Sequence, residues 1–248
     1  PRTPDRRESR SEEPVLWHVA AIVEYARQLL RRSGSEPAPD GHLLADLHTH
    51  PYIQDAESLR QTIEIAEQHN LSILGLVVHG CGNASELDLW GVKPIVGKLD
   101  GVESTEDLGS SLRVRIRGHT ITLLAGYETY VDLPGVHGRS DLLLLCPNER
   151  PTETRLIDRT FEAVLSYARE LDAIVIAAHP YTVWDPHGLG DFLKFRIATP
   201  HERAVIRDTL ITRVDGVDLV ATNVAWMTRS NSLLELESWH RPLACSDV

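Results

Sequence analysis

Seven short, nearly unbroken apolar runs recur after residue 42, and they restrict the fold of this chain more than any other feature. They are Leu43–Leu47, Leu71–Val78, Thr120–Tyr127, Asp141–Cys146, Ala173–Ala178, Gly216–Thr222 and Pro242–Cys245. Runs such as LSILGLVV and AIVIAA do not alternate apolar with polar residues, which is the pattern of strands covered on both faces of a parallel sheet. Helical patterns lie between most of them. Ser58–His69 opens on Ser58-x-x-Gln61, a capping-box spacing, and Glu153–Leu171 is strongly amphipathic. Thr199-Pro200-His201-Glu202 has the cap, the proline and the acid of a helix start, and a further helix is expected near Ser232–Trp239. The third run is the second arm of a hairpin that turns at Gly118-His119, and only loop residues separate it from the fourth. This rhythm predicts an open or closed α/β barrel. No Gly-x-Gly-x-x-Gly follows any of the strands, which removes the simplest dinucleotide-binding fold.

The chain has 248 residues, 42% of them hydrophobic and 25% charged, enough for one large domain with a sizeable core. That domain is expected at 42–248. Residues 1–41 divide into a charged tail, an amphipathic helix over Val15–Leu30 and a turn-rich linker, Ser33–Gly41. A formal charge of -11 argues against an extended grip on nucleic acid, which needs a basic surface to displace counterions. Three cysteines, Cys81, Cys146 and Cys245, contain no Cys-x-x-Cys pair and define neither a disulfide framework nor a thiolate zinc site. With no apolar run of membrane-spanning length and no apolar leader, a cytoplasmic protein without membrane attachment is expected.

In an α/β barrel the chemistry gathers at the carboxyl ends of the strands, and there this sequence places metal-ligating residue types. The first strand runs into Asp46-Leu47-His48-Thr49-His50. Side chains two apart on a strand share a face, with Cα atoms roughly 6.5 Å apart, so His48 and His50 are placed to converge on one ion. The second strand ends in His79, the third in Glu128, the fifth in His179-Pro180 and the seventh in Ser246-Asp247. Five strand ends agreeing in one layer point to a nitrogen-and-oxygen site suited to zinc, manganese or iron.

This series, Asp46-Leu47-His48-Thr49-His50, Val78-His79, Gly126-Tyr127-Glu128, His179-Pro180 and Ser246-Asp247, resembles the PHP (polymerase and histidinol phosphatase) superfamily in order and spacing, over residues 43–248. The resemblance implies a distorted seven-stranded (β/α)7 TIM-like barrel, here with an extra N-terminal helix. It also implies two or three divalent metal ions at the carboxyl end and hydrolysis of phosphate esters. His48, His50, Glu128 and Asp247 would hold one ion, Glu128 would bridge to a second held by His179, and His79 with Asp55 would belong to a third. Asp55 also suits a helix N-terminus before Ser58.

Three departures from the pattern stand out. Val78 precedes His79 where many relatives have Asp. The fourth strand lacks the expected histidine, Asp141 being the nearest match and His137 and Asn148 the alternatives. The last motif, Ser-Asp-x-His in relatives, is expected to be either cut short at Asp247-Val248 or degraded at the third metal position.

The implied reaction uses a metal-bound hydroxide as nucleophile, two ions about 3.5–4 Å apart clamping the attacking and leaving oxygens of a small phosphorylated substrate. His187, in the loop YTVWDPHGLG, is the candidate for protonating the leaving group, and Arg139 for holding a phosphate oxygen. Each also fits a solvated loop residue. Tyr181, Trp184 and Asn223 are pocket-lining candidates by position. Two other functions suit the same residues: a metal-binding regulatory module without catalysis, and an amidohydrolase-type metal hydrolase, which also begins with His-x-His. Against the latter, no Lys lies at an expected strand end. Oligomeric state leaves no signal.

Overall fold

The structure, a computed structural model, describes residues 43–80, 86–156, 160–185, 195–218 and 242–243. All of them belong to the unit Pro37–Val248, and the expected N-terminal tail, helix and linker lie outside the described residues. Among the described residues eleven strands form one mixed sheet: β1 (Leu44–Thr49), β2 (Leu71–His79), β3 (Val102–Asp107), β4 (Ser111–Ile116), β5 (His119–Asp132), β6 (Arg139–Leu145), β7 (Ile174–Ala178), β8 (Thr182–Trp184), β9 (Phe195–Ile197), β10 (Gly216–Asp218) and β11 (Pro242–Leu243). Five α-helices are described: α1 (Ala56–Gln68), α2 (Leu89–Val96), α3 (Glu153–Leu156), α4 (Phe161–Glu170) and α5 (Pro200–Thr209).

The sheet is an open half-barrel, and this overturns the expected (β/α)7 barrel. Its main path runs β1-β2-β5-β6-β7-β10-β11, with β3 and β4 extending from β5 and with β8 and β9 from β6. β1, β2 and β5 pair parallel, as do β7, β10 and β11, but β6 is antiparallel to both neighbours. The reason is chain length. A parallel crossover needs a dozen or more residues, and the connection from Asp132 to Arg139 is far too short for one, so β5 and β6 close as a long hairpin. The loop-rich span 80–109 likewise holds two elements that its Gly and Pro content concealed, α2 with Pro94 inside it and β3. The single helix expected over 153–171 is two, because Thr160 caps α4 afresh, its side chain accepting from Ala163 N. β8, which pairs with β9, occupies part of what was expected to be the loop Tyr181–Gly190.

Each face of the sheet has its own core. On the outer face, α1 contributes Leu59, Ile63 and Ala66, and α4 contributes Phe161, Val164, Leu165 and Ala168, spacings that keep one helical stripe inward. On the inner face Val77, Leu143, Leu145 and Ile176 pack together with Leu47 and Cys146 against them. That inner cluster is an apolar floor beneath the rim of the sheet. Among the described residues no helix is long and apolar enough to cross a membrane.

A buried carboxylate ties α5 to the rim of the sheet. Glu202 accepts two bonds from Arg196 (2.6 and 2.8 Å), one from His137 N (2.8 Å) and one from Thr199 N (2.8 Å), the last completing a capping box. The Arg196 guanidinium first, and these backbone donors after it, hold its carboxyl well below the usual range against the opposing effect of burial. A carboxyl whose folded pKa is depressed stabilises the fold above its unfolded value, about 4.3, and loses that contribution as the pH falls. Glu202→Gln is therefore expected to cost roughly 2–3 kcal/mol at pH 7. Chemical denaturation at pH 7 and at pH 3 should show this difference shrinking at the lower pH.

Candidate metal centre

Four imidazoles surround one buried carboxylate at the rim of the half-barrel. Glu128 Oε1 lies 3.4 Å from His48 Nε2 and 3.7 Å from His179 Nε2, while Oε2 lies 3.3 Å from His50 Nε2 and 3.4 Å from His79 Nε2. His48 Nε2 and His50 Nε2 are 3.1 Å apart, and His179 Nδ1 is 3.5 Å from Asp141 Oδ2. The rings pack on one another: His50 stacks on His79 with centroids 4.3 Å apart, and His48 meets His50 edge-on. His48, Glu128, Asp141 and His179 are buried, and His79 is the most exposed member.

The sheet explains how residues so far apart in sequence meet. β1, β2, β5 and β7 run the same way, so their carboxyl ends share one edge. His48 lies in β1 with His50 just past it, His79 ends β2, and His179 follows β7 directly. Glu128 is not at a strand end as expected. It sits inside β5, in direct register with His79, and the strand continues four residues beyond it to Asp132. Asp141 joins from the start of β6, which the antiparallel direction of that strand brings to the same edge. Leu143, the β6 partner of Glu128, belongs to the apolar floor.

β1 reaches the site through a bulge. Asp46 pairs with Leu74 and Thr49 with Leu76, so Leu47 and His48 together oppose Gly75. A Cβ at Gly75 would stand 2.2 Å from the Leu47 carbonyl oxygen, and only glycine permits that approach. Thr49 Oγ1 donates to Gly75 O at 2.6 Å and pins the bulge. At the other side His179 has a left-handed backbone (φ 28°), uncommon for a non-glycine residue and found where surroundings over-determine a functional side chain. Thr182 N donating to His179 O closes the turn that holds it there.

These separations suit coordination better than hydrogen bonding. Hydrogen bonds to a carboxylate prefer 2.7–2.9 Å. Ligand atoms about 2.0–2.1 Å from a tetrahedral ion stand roughly 3.3–3.4 Å apart, since the edge of a tetrahedron is 1.63 times the centre-to-corner length. Two overlapping sets result, His48–His50–Glu128 and Glu128–Asp141–His179, the atoms of each lying within 4.8 Å of one another. Glu128 belongs to both. Burial alone would push its carboxyl up, but the imidazoles of His179, His48 and His50 around it hold it well below the usual range. The donors are imidazole and carboxylate, the set that zinc, manganese and iron accept.

Among the expected ligands, His48, His50, His79, Glu128, Asp141 and His179 are brought together, and Asp55 is not. Its exposed carboxylate caps α1 as N-cap, accepting from Ser58 N at 2.9 Å and Ser58 Oγ at 2.8 Å. The helix thus starts three residues ahead of the expected capping box at Ser58. Arg139 is engaged elsewhere, its guanidinium 4.9 Å above the Trp184 ring and 3.3 Å from Asp132 Oδ1. His137 bonds to Glu202 through its backbone, and Asn148 N to Leu171 O, beyond the far end of β6. Tyr181 is fully buried. His187, Asn223 and Asp247 lie outside the described residues.

Sequence reasoning passed over Gly75, Glu86, Asp88 and Arg150, all close to the centre or supporting it. Only Asp88 left a signal, an acid directly before the apolar run Leu89–Val92 that it caps. No protein-family model matches the chain and no curated protein matches it.

If Gly75 is what lets His48 reach the site, Gly75→Ala should disrupt the bulge rather than the fold as a whole. The expected outcome is a folded protein by circular dichroism whose affinity for zinc falls at least tenfold, read by competition with a chromogenic chelator.

Proposed function

We propose that this chain is a metal-dependent hydrolase of phosphate esters, related to the PHP superfamily that its strand-end residues resemble. The observation that carries the reading is Glu128, one buried carboxylate shared between two ligand sets. A shared carboxylate fixes the spacing of two cations, the arrangement by which two-ion sites serve phosphoryl transfer. When bound, the ions would supply Lewis-acid stabilisation of phosphoryl oxygens and acidify a water.

The chain's own part is to hold and to shield. His48 and His50 present Nε2 on one side of Glu128, and Asp141 and His179, with Oδ2 and Nδ1 3.5 Å apart, would hold the second ion with it. The apolar floor of Val77, Leu143, Leu145 and Ile176 keeps water from beneath the site, which strengthens every electrostatic contact above it. Asp247 is the proposed fourth partner of His48, His50 and Glu128, and His187 the proposed proton donor to the leaving group. A cytoplasmic location belongs to the same proposal and is supported by the cysteine pattern, with Cys146 free.

Elemental analysis of the purified full chain should give two or three divalent ions per molecule. Zero or one would overturn the reading. Glu128→Gln is expected to lose at least one ion and to lower p-nitrophenyl phosphate hydrolysis by roughly three orders of magnitude. A panel of phosphomonoesters, phosphodiesters and cyclic amides with added manganese or zinc tests the bond cleaved, and turnover of an amide alone would replace phosphoesterase by amidohydrolase.

A further inference from the structure

A cleft of about 200 Å³ opens beside His79, the exposed member of the centre. Its polar lining consists of His79, Glu86, Asp88, Tyr127, Arg150 and Glu153. Among the described residues Arg150 is the one arginine or lysine in that lining, and it is held from behind. Its Nε donates to Asp88 Oδ2 at 2.7 Å, and the same oxygen accepts from Tyr127 OH at 2.6 Å. Asp88 Oδ1 takes Gly91 N, so this buried carboxylate is fully engaged and cannot swing. Burial first, and the bond to Asp88 after it, push the Tyr127 phenol far above its usual range and keep it a donor. Tyr127 adjoins Glu128 in β5, so the clamp and the metal-type cluster share one strand with alternate side chains on opposite faces.

The clamp uses only one edge of the guanidinium. Among the described residues no carboxylate or carbonyl accepts from the two Nη groups of Arg150, and its side chain is 64% exposed. Other arginines near the rim are committed, Arg139 to Asp132 and Trp184, and Arg196 to Glu202. A planar fork anchored through Nε presents its Nη pair in the geometry that grips an oxyanion in bidentate fashion. Two carboxylates share the cleft. They are Glu86 and Glu153, the latter in the first turn of α3.

We propose that Arg150, oriented by Asp88 and Tyr127, is the oxyanion-binding residue of this centre and holds a phosphoryl group in the cleft beside His79. The proposal deepens the phosphoesterase reading and rests on it for the identity of the anion. Arg150 is the binding group; Asp88 and Tyr127 are positioning residues that act through it.

The test is calorimetric titration of the full chain with inorganic phosphate, with and without added zinc, on wild type, Arg150→Met, Arg150→Lys and Tyr127→Phe. Arg150→Met is expected to weaken phosphate binding by about 10–100-fold, the loss of a charge-assisted hydrogen-bonding pair. Arg150→Lys should recover part of it, and Tyr127→Phe, which leaves both charges in place, should weaken it several-fold. Zinc content and circular dichroism should not change. In hydrolysis of p-nitrophenyl phosphate, Arg150→Met should raise KM more than it lowers kcat, a split that a purely structural Arg150–Asp88 pair would not produce. Equal phosphate affinity in wild type and Arg150→Met, or no phosphate binding by wild type in either state, would overturn the proposal. Arg150-dependent phosphate binding without hydrolysis would keep the subsite and discard the phosphoesterase reading. Hydrolysis with Arg150-independent binding would do the reverse.

Discussion

A carboxylate buried among imidazoles is the interaction on which the rest of this structure turns. Removing Glu128 from water is costly, and a charge so placed is tolerated only when neighbouring groups compensate it. Here the compensation comes from His48, His50, His79 and His179, each with Nε2 within 3.7 Å of a Glu128 oxygen. The site needs four imidazoles and the carboxylate at one height, and β1, β2, β5 and β7 supply them from a shared edge because they run the same way.

The mixed character of the sheet does not weaken that requirement. Reversing β6 removes one helical crossover, yet it leaves the site intact, because the amino end of an antiparallel strand lies at the same edge as the carboxyl ends of its neighbours. Asp141 therefore stands where a residue from the end of a parallel strand would have stood. What the short connection between β5 and β6 forbids is a closed alternating barrel; what it preserves is the rim.

Irregular backbone and close packing shape the proposed site. The bulge opposite Gly75, the left-handed backbone of His179 and the buried anchor beneath Arg150 are all features that regular packing would not select. Each of them aims a side chain at the rim. By contrast the hairpin β3–β4 carries its charges outward, Arg113 with Glu106 and Arg115 with Glu103, while Leu112, Val114 and Ile116 of β4 enter the outer core.

The sequence by itself determined the main strands and most of the cluster, but not β3, β8 or β9. Apolar runs bounded by turn residues locate β1, β2, β5, β6 and β7, since burial on both faces leaves no other pattern, and His48, His50, His79 and His179 are legible because they follow such runs directly. Glu128 was legible as a residue, though not as an interior position of a strand that runs on to Asp132. The direction of β6 was implicit in the short connection before it, but register was decided only by the tertiary structure. The pairing of His79 with Glu128 and the bulge at Gly75 depend on which strands become neighbours, and the periodicity of one strand does not name its neighbour. Asp55 shows the same limit from the other side: its spacing after His50 suits a ligand, and a local hydrogen bond to Ser58 claims it for the helix cap. Arg150, in an ordinary surface turn of the sequence, matters only because folding sets the buried Asp88 behind it.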